Sequence, residues 1–142
     1  MLKNVILAGA IAGAIMDIVA VVLVYIFTSI GIIEPPGGLE GVLALTGLFA
    51  VAHLSVDLIW GIIFGMIYAF FYDLIPSKGA VKGLYFGLLI WLIKDIAASS
   101  YAVLVLVDIP SAITRALAID LVLFGFFMWI AYGLVLGYLY KK

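Results

Sequence analysis

Residues 4–29 read NVILAGAIAGAIMDIVAVVLVYIFTS. About 20 apolar residues in a helix cross the hydrocarbon of a bilayer, and this stretch is longer than that. Its one charged residue, Asp17, sits near mid-span. The stretch is therefore expected to be a membrane helix carrying a charge where insertion scales put a cost of about 2.5–3.5 kcal/mol. Such a group persists only if it is paired, protonated or hydrated. Lys3 and the Ala8-Gly9-Ala10 triplet imitate a signal peptide and its cleavage site. That site comes too early in a run too long for a leader, so the helix is expected to be retained.

The same pattern recurs three times. Further spans are expected at 41–72 with Asp57, at 79–107 with Asp95, and at 112–140 with Asp120 nearer one end. His53 stands one turn before Asp57, and Lys94 adjoins Asp95. The spans are separated by Glu34-Pro35-Pro36-Gly37-Gly38, by the segment from Asp73 to Gly79, and by Asp108-Ile109-Pro110-Ser111. Proline and glycine at these points cannot continue a helix, and Ser77 is a natural N-cap for the third span.

Composition agrees with this reading. The chain has 142 residues, of which 68% are hydrophobic and only 11% charged, against about 25% charged in globular domains. A soluble domain of this size could not bury so much apolar surface. The expected class is an all-α integral membrane protein of four transmembrane helices in a single domain, set in a lipid bilayer. The net charge of −1 offers no basic patch for nucleic acid. The absence of cysteine excludes disulfides, thiolate metal sites and cysteine nucleophiles.

Charge placement sets the expected orientation. With four crossings, Lys3, Lys78, Lys82, Lys141 and Lys142 share one side, and Arg115 lies on the other. The positive-inside rule then makes this a multi-pass protein of the cell membrane with cytoplasmic N- and C-termini. Tyr68, Tyr72, Tyr85, Tyr138 and Tyr140 would form the inner aromatic belt, with Tyr25 and Tyr101 near the outer one. The run from Gly9 to Asp17-Ile18 aligns with that from Gly87 to Asp95-Ile96, and Phe64-Gly65 through Tyr72 resembles Tyr132-Gly133 through Tyr140. These matches suggest a parallel repeat of two helical hairpins.

Each span holds a Gly-x-x-x-Gly pair: Gly9/Gly13, Gly61/Gly65, Gly83/Gly87 and Gly133/Gly137. Glycines four apart share a helix face and let backbones approach closely, so these eight are expected to pack helices together. All four pairs fall in the cytoplasmic half, which should be the closed end of the bundle. The polar residues continue the same stripes, since side chains four apart share a face. Asp17, His53, Asp57 and Asp95 are therefore expected to point inward at similar depth, with Lys94 available to neutralise Asp17. Asp120 fits this set least well and lies about a turn from Arg115. Carboxylates outnumber nearby cations, so at least one should be protonated, hydrated or bound to a cation.

The chemistry read from this pattern is ion or solute handling. Asp17, His53, Asp57, Lys94, Asp95 and Asp120 are the candidate ion- or solute-binding residues of a small proton, cation or solute channel or transporter. The alternative is a non-catalytic anchor or accessory subunit whose intramembrane charges pair with another chain. A third reading gives His53 a redox or lipid-handling role, two copies in a homodimer supplying a pair of haem ligands. His53 is read foremost as a polar core histidine, and no cofactor or metal is assigned. A homo-oligomer or a complex with other membrane subunits is expected of so small a bundle. No nucleophile–base pair, phosphate-cradling loop or zincin pattern points to an enzyme.

Overall fold

The computed structural model describes residues 2–32, 38–97 and 119–141, with side chains at 3–32, 40, 52–97 and 122–141. Regular structure among these residues is wholly helical. Helix α1 covers Leu2–Ser29, α2 covers Gly38–Phe71, and α3 covers Gly79–Ile90. The α3 axis continues into a π-helical segment, Trp91–Ile96, with helical backbone angles on either side of the junction. A second π-helical segment, Ile119–Phe124, leads directly into α4, Gly125–Leu139. Three stretches are long and apolar enough to cross a membrane: Lys3–Ser29, Ala52–Phe71 and Val122–Leu139. The expected span ends at 98–107 and 112–118, the Pro35-Pro36 and Pro110 breakers, Arg115, and the Asp120 side chain lie outside the described residues.

Local signals explain the helix ends. Gly31 takes φ +73°, a left-handed conformation that glycine adopts without a Cβ penalty. The N–H of Ile32 then donates to Phe27 O at 2.8 Å and that of Gly31 to Thr28 O at 3.1 Å, the paired bonds of a Schellman cap. The start of α3 departs from expectation. Ser77 is not the N-cap: it sits at φ +79°, and the cap is Lys78, extended and without a side-chain capping bond. Ser77 and Gly79 both take left-handed backbone angles there, so the chain turns at Ser77 and the cap falls one residue later than expected.

Glycine then decides the packing. A Cβ on Gly13 would collide with the Asp57 carbonyl, and one on Gly9 would collide with that of Gly61. Added to Gly65, it would come within 3.1 Å of both Gly9 Cα and Val5 O. Helices α1 and α2 therefore run antiparallel with backbones in contact. The second pair repeats the arrangement: a Cβ on Gly83 would strike Gly133 O, one on Gly87 would strike Trp129 O, and one on Gly137 would lie 2.5 Å from Gly79 O. Only small residues allow this approach. The two pairs join through α4, where Tyr132 donates its hydroxyl hydrogen to Gly61 O at 2.7 Å. Phe64 meets Trp129 edge-on at 5.0 Å, and Phe27 stacks on Phe124 at 5.1 Å.

The core lies at the end where the chain termini and the loop after α2 meet. Val5, Ala8, Ala12 and Met16 form the buried face of α1, at helical spacing. Tyr68, Phe86, Tyr132, Leu136 and Tyr140 fill the space between the other helices. The expected inner belt of tyrosines is thus divided. Tyr85 and Tyr138 are exposed, whereas Tyr68 and Tyr140 are buried and meet at 5.8 Å between ring centroids. Lys82 is not a solvated charge either. It is buried, donates to Tyr72 O at 2.6 Å, and stands 4.0 Å from the centre of the Tyr72 ring.

Candidate functional site: an ionic cluster beside a cavity

The close contact of Gly13 with Asp57 sets the geometry of the polar cluster. One turn beyond Gly13 on α1 stands Asp17, and one turn before Asp57 on α2 stands His53. Because the two backbones touch at Gly13, ligand atoms of Asp17, His53 and Asp57 all come within 4.8 Å of one another. Asp17 is buried, Asp57 half-buried and His53 exposed. The Asp17 and Asp57 carboxyl groups face each other across the helix contact. Two carboxylates this near repel in apolar surroundings, a repulsion that a cation between them would relieve.

Asp95 and Lys94 approach from the π-helical end of α3. Asp95 is 2% exposed and lies against Gly125, where a Cβ would strike its Oδ2. Lys94 Nζ pairs with Asp95 Oδ1 at 2.9 Å and lies 5.4 Å from the Trp129 ring centre. The ammonium expected at Asp17 is thus engaged by its own neighbour. In the wide π turn the two side chains leave the axis close enough for the long lysine stem to fold back. Trp91 fixes this segment to the next one, its indole N–H donating to Val122 O at 3.1 Å. π-helical turns inside α-helices recur at functional sites, and here two of them flank the cluster.

A cavity of about 370 Å³ adjoins these groups, lined in part by His53, Asp57, Trp60, Lys94, Asp95 and Trp129. Along α1 it extends from Met16 to Val24, about 12 Å of helix rise. Small-molecule sites range over about 300–1,000 Å³. This cavity is at the small end and suits a hydrated ion or a compact polar solute. Among the described residues it begins where the glycine contacts end.

The structure therefore gathers His53, Asp57, Lys94 and Asp95 around one space, with Asp17 beside His53 and Asp57. The side chain of Asp120 is outside the described residues, though its backbone belongs to the π segment facing Trp91. Gly125, Trp129 and Trp91 complete the site. Gly125 makes room for Asp95, Trp129 faces Lys94, and Trp91 ties the π segments together. No protein-family model, curated protein or solved structure matches this chain.

Proposed function

We propose that the chain is a four-span protein of the cell membrane, with both termini cytoplasmic, that conducts or transports a proton, a cation or a small polar solute. The observation that carries this reading is the convergence of Asp57, Asp95, His53 and Lys94 on one cavity, with Asp17 beside His53 and Asp57. Ionisable groups within a span are costly and mark ion pathways or proton relays when they face a water-accessible interior. Lys94 and Asp95 offset each other, leaving Asp17 and Asp57 to handle the transported charge. The glycine-packed end supplies the barrier and the cavity supplies access from the opposite side. The matching glycine contacts of the two helix pairs support a duplicated hairpin.

The test is flux in proteoliposomes, with proton and alkali-cation movement read by pH-sensitive and ion-sensitive dyes. The wild-type chain is expected to dissipate an imposed gradient, and Asp57→Asn or Asp95→Asn to abolish that movement in protein that remains helical. Unchanged flux in both variants would sink the proposal.

A second reading is supported by exposure. His53 is exposed, and Lys94 is 47% exposed at the same level. Charged groups on an otherwise apolar surface favour a partner chain that covers them, as in an accessory subunit. Native mass spectrometry of gently extracted protein separates the readings: fixed stoichiometry with another polypeptide favours the subunit, and a homo-oligomer favours transport.

A further inference from the structure

We infer that Asp17, His53 and Asp57 form a binding site for a divalent transition-metal ion, with further coordination positions open to the adjoining cavity. This deepens the transport proposal and rests on the same cluster.

Donor geometry is the first support. His53 and Asp57 are four residues apart on α2, the spacing by which two side chains of one helix reach a single metal. Asp17 joins them from α1, held at that distance by the Gly13 contact, and all three ligand atoms lie within 4.8 Å of one another. Ligand atoms about 2.1 Å from a tetrahedral metal lie about 3.4 Å apart. Side-chain rotations that bring the atoms together by about 1–1.5 Å therefore close the set.

Charge is the second support. Lys94 and Asp95 form a pair at 2.9 Å. The two carboxylates of Asp17 and Asp57 carry the charge that one divalent ion offsets, which suits an apolar surrounding better than two like charges in contact. Donor chemistry narrows the class of ion. An imidazole with two carboxylates favours zinc, iron, cobalt or manganese over magnesium or calcium, which take oxygen donors alone. The third support is space. His53 and Asp57 both line the 370 Å³ cavity, so water or an exchanging ligand can fill the remaining positions. A closed structural site would have no such opening.

The experiment uses the full chain in lipid nanodiscs, purified on a histidine-free tag and stripped with chelator. Zinc binding is followed by calorimetry and cobalt binding by its visible absorption. One ion per chain is expected, undisplaced by excess magnesium. His53→Ala, on an exposed position that leaves packing intact, should weaken binding beyond the roughly 10–100-fold lost when a mere orienting partner is removed. Asp57→Asn should do the same. Failure of the folded wild-type chain to bind zinc or cobalt overturns the site, as does unchanged affinity in His53→Ala. Proton flux in metal-free liposomes and zinc flux in zinc-loaded ones keep the two ideas apart. Asp57-dependent proton flux without metal binding would overturn the metal site and leave transport standing. Metal binding without any flux, of metal or proton, would do the reverse.

Discussion

Asp95 occupies the space that a side chain at Gly125 would fill. Its Oδ2 is the nearest heavy atom to where a Cβ on that glycine would stand, and the carboxyl is nearly wholly buried. The glycine at the start of α4 thus makes room for a charge on the π segment that follows α3. Replacing it tests whether that room is needed. Gly125→Ala is expected to push Asp95 aside and destabilise the bundle by about 1–3 kcal/mol, the usual cost of overpacking. Thermal unfolding in detergent, read by circular dichroism, measures it.

The glycine seams make a sharper prediction. Alanine in place of glycine inside a helix ordinarily gains about 1 kcal/mol. At Gly83 the new Cβ would strike the Gly133 carbonyl and come 2.7 Å from Gly137 Cα. Backbone cannot yield as a flexible side chain does, so α3 and α4 must separate. Gly83→Ala is expected to lower stability by about 1–3 kcal/mol despite its better propensity. A stabilised Gly83→Ala protein would mean that the two helices do not pack as described.

Much of this frame was legible in the sequence. The span expected at 4–29 corresponds to Leu2–Ser29, and that at 41–72 to Gly38–Phe71. Long apolar runs bounded by proline and glycine leave few alternatives. Four-residue glycine spacing also gave the packing faces, because backbone contact demands small residues whatever surrounds them. The π-helical segments were not legible. Trp91-Leu92-Ile93-Lys94-Asp95-Ile96 contains neither glycine nor proline, and nothing in it distinguishes a wide turn from an ordinary one. That turn changes the direction of the side chains that follow it, and Lys94, expected at Asp17, is found on its neighbour Asp95. Gly125 was equally silent, a single glycine among aromatics whose purpose shows only when Asp95 lies against it.

The Lys94–Asp95 pair supplies the next prediction. Removing one member of a fully buried ion pair costs about 3–5 kcal/mol because it strands the other charge. Lys94 is 47% exposed, so water recovers part of that. Lys94→Met is expected to cost about 1–3 kcal/mol. The double variant Lys94→Met with Asp95→Asn should recover most of the loss, since it leaves no stranded charge. A double-mutant cycle on unfolding measures the coupling, and strict additivity would show that the pair contributes nothing.

Tyr132 links the two helix pairs by one directed bond, and this is the simplest contact to remove. Its hydroxyl donates to Gly61 O at 2.7 Å from a fully buried ring. Tyr132→Phe keeps the ring and deletes the donor, leaving the Gly61 carbonyl with its helical partner alone. A loss of about 0.5–1.5 kcal/mol is expected, the net worth of one hydrogen bond. Tyr138 is 69% exposed and serves as the control, because Tyr138→Phe should change stability little. If the two variants unfold alike, the hydroxyl is not a tie between the pairs. A larger loss at Tyr132, together with faster amide exchange around Gly61, would show that α4 holds the hairpins together through this contact.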